Sequence, residues 1–144
     1  MSPFDRRKFL SMAIVGSLAY IVTPARAEGA PNKVVFQVSD ADPAKWNLTL
    51  NNVKNIQEDL GRTEGIDVEV VVYGPGIGML KAGSPVASRV AAALKDKVKV
   101  VACENTMKAQ NLVVADMLPD IGYVPAGVVE LMKKQKAGWA YIRP

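Results

Sequence analysis

The sequence contains no histidine and only one cysteine, Cys103. Without histidine the chain lacks the Ser-His and Cys-His pairs of many nucleophilic enzymes, and it lacks the commonest protein ligand for metal ions. A single cysteine cannot form a disulfide within the chain, and it leaves dithiol redox chemistry without a resolving thiol. We therefore expect no metal site and no cofactor, and the candidate nucleophile is one isolated thiol.

The first 27 residues read as an export signal. Arg6 and Arg7 precede an apolar stretch over residues 10–22, and the small-residue motif Ala25-Arg26-Ala27 follows it. The apolar stretch is shorter than the ~20 residues that span a bilayer, which favours cleavage over anchoring. The sequence predicts a twin-arginine signal peptide over residues 1–27, a single mature domain over residues 28–144, and a periplasmic location.

Most of the positive charge belongs to this leader. Residues 1–27 hold four basic residues and one acid, so the formal charge falls from +4 for the whole chain to +1 for the mature chain. A nearly neutral domain without a dense basic patch has no electrostatic basis for binding nucleic acid or an anionic membrane surface. The expected partners are small molecules or other proteins, without a permanent membrane anchor.

Apolar, β-branched segments alternate with amphipathic helical segments along the mature chain. The predicted strands are residues 33–39, 66–73, 98–102, 121–124 and 139–142, and the predicted helices start near Pro43, Ser84, Asn105 and Ala126. Helical spacing puts Val128, Leu131 and Met132 on the inner face of the last helix. This alternation predicts an α/β fold, a flavodoxin-like three-layer sandwich with a mostly parallel five-stranded sheet.

The predicted substrate pocket lies at the carboxyl edge of this sheet. With the strand order 2-1-3-4-5, the segment Ser39-Asp40, the glycine-rich loop with Gly74, Gly76 and Gly78, and Cys103 would meet there. The loop lacks the Gly-Lys-Ser/Thr of a phosphate-binding loop, so a tight turn is the favoured interpretation over nucleotide binding. Its exposed amides could still hold a small anion beside the thiol.

Cys103 follows a buried apolar run and precedes a predicted helix. The positive end of the helix dipole would lower the pKa of its thiol, whereas the adjacent Glu104 would raise it. Free cysteine is also among the most buried residue types, and it commonly behaves as a small hydrophobic side chain. Position alone leaves a chemical role and a structural role open.

Several segments resemble the DsrE/DsrF-like family. The most specific are Cys103-Glu104-Asn105-Thr106-Met107 and Gly138-Trp139-Ala140-Tyr141-Ile142-Arg143-Pro144, and the resemblance covers essentially the whole mature chain. It implies a sulfur-relay protein in which the cysteine at position 103 carries a persulfide between partners, and assembly into trimers or hexamers. Two features depart from that pattern: Tyr73 stands where the subgroup has histidine, and the best-understood relay members work in the cytoplasm.

Two functions remain open at this point. In the first, the Cys103 thiolate accepts sulfane sulfur and passes it on, with hydrogen bonds from Asn105 and Thr106 and longer-range help from Lys108 or Lys81. Ordinary helix capping for Asn105 and Thr106, and a solvated surface position for the lysines, are the alternatives. In the second, the protein is a non-catalytic, oligomeric binding or interaction module with a structural cysteine, and the apolar stretch 113–118 is a candidate contact or a piece of core.

Overall fold

The computed structural model describes residues 32–61 and 64–144, so the predicted export signal lies outside the described residues. Five strands, four α-helices and two short 3-10 helices alternate along the chain. In chain order they are β1 (Asn32–Val38), α1 (Pro43–Leu60), β2 (Ile66–Val72), a 3-10 helix (Gly74–Leu80), α2 (Ala87–Lys95), β3 (Lys99–Cys103), α3 (Glu104–Ala109), a 3-10 helix (Val114–Asp116), β4 (Gly122–Val124), α4 (Gly127–Lys136) and β5 (Ala140–Ile142). The glycine-rich segment predicted as a loop is therefore the first 3-10 helix.

The five strands form one sheet in the order β4-β3-β2-β1-β5, and every neighbouring pair is parallel. The predicted α/β class and its five-stranded parallel sheet are confirmed, but the strand order 2-1-3-4-5 is wrong. β2, β3 and β4 are each added to the same side of the sheet, one beyond the other. The chain then crosses back, and β5 pairs with the free edge of β1. Right-handed crossovers that step in one direction put their helices on the same face of the sheet.

The two faces of the sheet are covered unequally. Helices α1, α2 and α3 pack on one face, where the larger core includes Phe36, Trp46 and Val90. On the opposite face α4 stands alone over a smaller core of Val35, Val71, Val101, Val124 and Leu131. Within the described residues the fold thus has three layers, and a single ten-residue helix forms the thinner outer layer.

Helix α1 begins as the sequence predicts. The Asp42 carboxylate accepts the Ala44 N–H at 2.9 Å, and Pro43 occupies the first helical position, where a missing N–H costs nothing. Arg89 of α2 then ties the two helices together, because its guanidinium donates to the side-chain oxygens of Asn47 and Asn51, each at 2.6 Å. Both helices therefore stay on one face of the sheet.

Helix α4 differs from its prediction. Leu131 is buried, but Val128 is 62% exposed and Met132 is 52% exposed, so these two side chains do not form an inner face. The helix instead turns Gly127, Leu131 and the amphipathic Lys134 toward the sheet, where Lys134 meets the buried Glu69. The spacing of apolar residues gave the wrong face because a charged pair, not a leucine, occupies the third sheet-facing position.

Within residues 32–61 and 64–144, none of the helices combines the length and the apolar character that crossing a bilayer requires.

Candidate functional site

Cys103 lies where the connections of two neighbouring strands separate. The chain leaving β3 enters α3 on the face of the larger core, and the chain leaving β4 enters α4 on the opposite face. In parallel sheets such a divergence opens a crevice at the carboxyl edge, the usual place for a ligand. The correct strand order therefore moves the switch point to the boundary of β3 and β4, directly at the cysteine.

Two helix starts face the Cys103 sulfur. Cys103 is the residue that precedes α3, and its register partner Val124 leads through Pro125 and Ala126 into α4. The two segments are joined by a hydrogen bond from the Asn105 N–H to the Pro125 carbonyl, at 3.1 Å. The side chain is 5% exposed, so the thiol is nearly enclosed by these segments.

Hydrogen-bond donors converge on this sulfur. Burial raises the pKa of the Cys103 thiol, but hydrogen bonds from the Thr106 hydroxyl and from the N–H groups of Gly127, Thr106 and Asn105 outweigh it. The pKa therefore lies below its ordinary value. The neutral thiol donates a weak hydrogen bond to the Pro125 carbonyl at 3.9 Å. The surroundings therefore stabilise the thiolate more than water does around an ordinary cysteine.

Thr106 lies at the sulfur through its hydroxyl and its backbone N–H, and Asn105 through its backbone N–H, while their roles in chemistry stay predictions. Thr106 also receives the Gly74 N–H on its hydroxyl oxygen, at 2.9 Å. A hydroxyl can accept one hydrogen bond and donate another, so Thr106 accepts from Gly74 and donates its O–H to Cys103. Gly74 can supply this amide because it has a φ of +56°, a left-handed conformation that favours glycine. Gly74 is therefore a support for Thr106 rather than a direct anion ligand.

Tyr73 lies beside Cys103 at the end of the neighbouring strand β2, on the side of β3 away from β4. It lies one residue beyond the Val72/Ala102 pair of β2 and β3, next to Cys103 on the face of α4. A side chain at position 127 would begin 3.0 Å from the Tyr73 Cβ and Cδ1 atoms, so glycine at 127 permits the close approach of α4. The sequence reasoning missed Gly127, whose only local signal is a glycine at the start of a helix.

Two of the predicted pocket glycines serve packing. A Cβ at Gly76 would lie 2.7 Å from the Val38 carbonyl oxygen, and a Cβ at Gly78 would lie 3.1 Å from the Trp46 ring. The Gly76 N–H donates to the Tyr73 carbonyl at 3.2 Å, so this amide is not available to an anion. These glycines let the first 3-10 helix close over β1 and α1, and their assignment to an anion-binding pocket stays a prediction.

Ser39 and Asp40 form a separate polar cluster. β2 separates β1 from β3, so these residues share the carboxyl edge with Cys103 but not its immediate surroundings. Ser39 accepts a hydrogen bond from Gln37, and Asp40 pairs with Lys45 at 3.1 Å and Arg143 at 3.4 Å. The hydrogen bond from Lys45 is the main reason that the pKa of Asp40 lies below its ordinary value.

Lys108 points along a neighbouring groove. This groove, about 380 Å³ in volume, is lined by Glu104, Met107, Lys108, Leu112, Val113, Val114 and Tyr123. The 113–118 stretch divides here: Val113 and Val114 are more than 60% exposed, whereas Met117 and Leu118 are buried in the core. No cluster of three or more His, Cys, Asp and Glu side chains in the described part of the chain is arranged to hold a metal ion.

Comparison with known proteins gives a family and a fold. The model of the DsrE/DsrF-like family matches residues 32–144. A protein of unknown function from Methanobacterium thermoautotrophicum is 34% identical in sequence and superimposes with a TM-score of 0.74, over 78% of this chain and 99% of that chain. No curated protein matches the sequence.

Two more distant structures share the fold alone. A conserved protein of unknown function from Bacteroides thetaiotaomicron is 12% identical with a TM-score of 0.63, over 78% of this chain and 95% of its own. The ychN protein from E. coli is 12% identical with a TM-score of 0.59, over 78% of this chain and 99% of its own. With the family match spanning almost all of the described residues, the chain belongs to the DsrE/DsrF-like family.

Proposed function

We propose that this protein is a sulfur carrier in which Cys103 accepts sulfane sulfur as a persulfide and passes it to an acceptor. Family membership is consistent with a sulfur-relay role. The observation that carries the proposal is the set of donors around the sulfur, Thr106 O–H with the N–H groups of Gly127, Thr106 and Asn105, which together lower the pKa of Cys103. A thiolate is the nucleophile of thiol chemistry, so this arrangement supports attack by Cys103.

The transfer needs no second cysteine and no external electrons. The Cys103 thiolate attacks the outer sulfur of a persulfide or polysulfide donor; a new S–S bond forms at Cys103, and the donor leaves as its thiolate. With thiosulfate as donor, sulfite is the leaving group. An acceptor thiolate then attacks the outer sulfur of the Cys103 persulfide, the new S–S bond breaks, and the Cys103 thiolate returns.

The enclosure of Cys103 bears on how sulfur enters and leaves. Cys103 is 5% exposed, which gives little access to a folded partner, so a small polysulfide or thiosulfate ion is the donor that suits this site better. Once bound, the outer sulfur extends about 2 Å beyond the Cys103 sulfur, because that is the length of an S–S bond. An outer sulfur that points toward solvent would be easier for an acceptor to reach than the thiol itself.

The same enclosure favours a second candidate function. A buried cysteine with a weak hydrogen bond to the Pro125 carbonyl is also what a structural cysteine looks like. In that case the protein is a non-catalytic module that binds a small ligand or another protein.

Intact mass measurement separates the two. The mature protein, residues 28–144, is incubated with polysulfide or thiosulfate beside Cys103→Ser and a reductant-treated sample. We expect wild type alone to gain the mass of one or more sulfur atoms, and reductant to remove it. No mass gain, together with a thiol that resists alkylation until the protein is unfolded, would replace sulfur transfer by the module.

Export and assembly complete the proposal. The twin-arginine motif and the Ala25-Arg26-Ala27 site support removal of residues 1–27 and a periplasmic location. The test is cell fractionation of the full chain beside an Arg6→Lys, Arg7→Lys double variant, which we expect to stay in the cytoplasm.

Exposed Val113 and Val114 support a homo-oligomeric contact, tested by sedimentation of the wild type and of Val113→Asp.

A further inference from the structure

Glu69 is a fully buried carboxylate in the middle of β2. Its side chain is 0% exposed and faces α4, together with Val35 and Val71. Lys134 of α4 reaches its carboxylate at 2.8 Å, and Lys99 of β3 reaches it at 3.6 Å. Burial of a charge is tolerated only where an opposite charge compensates it, so Glu69 requires Lys134 to lie over the sheet.

Helix α4 has few other contacts that fix its position. Gly127 and Leu131 are its buried residues, and Val128, Val129 and Met132 are exposed, so a single leucine provides its buried apolar side chain. Lys134 is held from three sides, by Glu69, by Glu130 at 3.6 Å and by the Trp139 ring at 4.3 Å. The last turn of α4 is therefore anchored by charge.

The start of the same helix lies beside Cys103, because Val124 is the register partner of Cys103 and the Pro125 carbonyl is 3.9 Å from its sulfur. The Gly127 N–H follows in the chain and is one of the donors to that sulfur. Gly127 and Lys134 are seven residues apart, about 10 Å along one helix. We propose that the Glu69–Lys134 ion pair is a positioning element for the Cys103 site: by seating the end of α4, it sets where Gly127 meets the sulfur. Glu69 itself touches no reacting atom, since Cys103 lies four residues beyond its register partner Lys99, about 13 Å along the strand.

The proposed positioning role and a direct effect of the Glu69 charge predict opposite changes in the pKa of Cys103 when Glu69 is replaced. If Glu69 acted on Cys103 only through its negative charge, Glu69→Gln would favour the thiolate, because it removes a like charge. If Glu69 acts by seating α4, the same variant weakens the Gly127 hydrogen bond and disfavours the thiolate. The two mechanisms move the pKa of Cys103 in opposite directions.

The experiment is a titration of the mature protein by the ultraviolet absorbance of the thiolate, with the alkylation rate at one neutral pH as a second readout. For Glu69→Gln and Lys134→Met we expect the pKa of Cys103 to rise and alkylation to slow about threefold. Lys134→Arg, which keeps the charge and the reach, should recover most of the wild-type rate. Lys133→Met is the matched control, because it removes an exposed charge from the same turn and should leave the titration unchanged.

Folding is checked by circular dichroism and thermal unfolding. If Glu69→Gln does not fold, the double variant Glu69→Gln, Lys134→Met decides the question. It removes one charge of each sign, so a direct effect of charge nearly cancels, whereas loss of the seating pair still raises the pKa of Cys103. An unchanged or lower pKa of Cys103 in the folded variants would overturn the proposal. The Gly127 amide resonance gives an independent structural check: it should follow the Cys103 titration in wild type and respond less in Glu69→Gln.

This inference rests on the thiolate part of the proposed function and not on sulfur transfer. The titration uses no sulfur donor, so a protein that fails to form a persulfide can still satisfy it. The converse outcome is that the wild type forms a persulfide while the pKa of Cys103 is the same in wild type and in Glu69→Gln. That result would support the proposed function and contradict the positioning role of the Glu69–Lys134 pair.

Discussion

The Gly74 amide donates a 2.9 Å hydrogen bond to the hydroxyl oxygen of Thr106, and this contact joins the end of β2 to the first turn of α3. It fixes the direction of the hydroxyl proton, because the oxygen already serves as an acceptor. Thr106 can therefore donate to the Cys103 sulfur with little loss of rotational freedom. The glycine-rich segment contributes to the site at this one amide, through a threonine.

The first prediction concerns that hydroxyl. Thr106→Val keeps the side-chain shape and removes the O–H donor, so the pKa of Cys103 should rise and alkylation near neutral pH should slow by about threefold to tenfold. Thr106→Ser retains the hydroxyl and should stay close to wild type. Equal alkylation rates in all three proteins would show that the hydroxyl does not stabilise the thiolate.

The second prediction concerns stability and pH. The folded pKa of Cys103 is lower than that of the unfolded chain, about 8.5, so the folded state binds the Cys103 proton less tightly. The contribution of Cys103 to stability is therefore fully present above the unfolded pKa and is lost as the pH falls through the folded pKa. Urea unfolding should show wild type gaining stability over Cys103→Ser as the pH rises from neutral toward 9, and a constant difference would contradict this.

The third prediction tests the packing role of Gly76. A methyl group there would lie 2.7 Å from the Val38 carbonyl oxygen and 2.9 Å from its carbon, both backbone atoms that cannot turn aside. We expect Gly76→Ala to lose about 1–3 kcal/mol of unfolding free energy. Gly83→Ala is the control, since nothing lies within 4 Å of its added methyl group, and it should change stability by less than about 1 kcal/mol.

The fourth prediction tests the approach of α4 to the sulfur. Gly127→Ala would press its methyl group on Tyr73 at 3.0 Å and push the start of α4 outward. The Gly127 N–H would then move away from Cys103, so the pKa of the thiol should rise and alkylation should slow. Gly83→Ala is the control, and it should leave both the pKa and the alkylation rate unchanged. A Gly127→Ala protein with wild-type titration would mean that the amide contributes little.

The sequence pattern predicts the strands well and their order poorly. β1, β2 and β3 are runs of β-branched residues that a buried parallel strand requires, and their observed ends lie within one residue of the prediction. Strand order depends on which edge each crossover chooses, and no local pattern records that choice. The Arg89 bridge from α2 to Asn47 and Asn51 shows in retrospect that α1 and α2 share a face.

The candidate site divides in the same way. Cys103, Asn105 and Thr106 are consecutive or nearly so, and a strand-to-helix junction predicts their proximity. Gly127 comes 24 residues after Cys103 and enters the site only because β4 pairs with β3. The sequence pattern also did not predict that Val128 and Met132 are exposed. Their exposure follows from the ion pair between Lys134 and the buried Glu69, which turns a different face of α4 toward the sheet.

Two helix starts that meet at one sulfur also relate the chemistry of this thiol to the progress of folding. The donors from Asn105 and Thr106 follow directly on β3 in the chain. The donor from Gly127 requires that β4, a three-residue edge strand, has paired with β3 and that α4 has packed on the opposite face of the sheet. A chain that has not yet docked residues 122–144 lacks the Gly127 donor to Cys103. The full set of hydrogen-bond donors to this sulfur is therefore present only in molecules that have completed their fold.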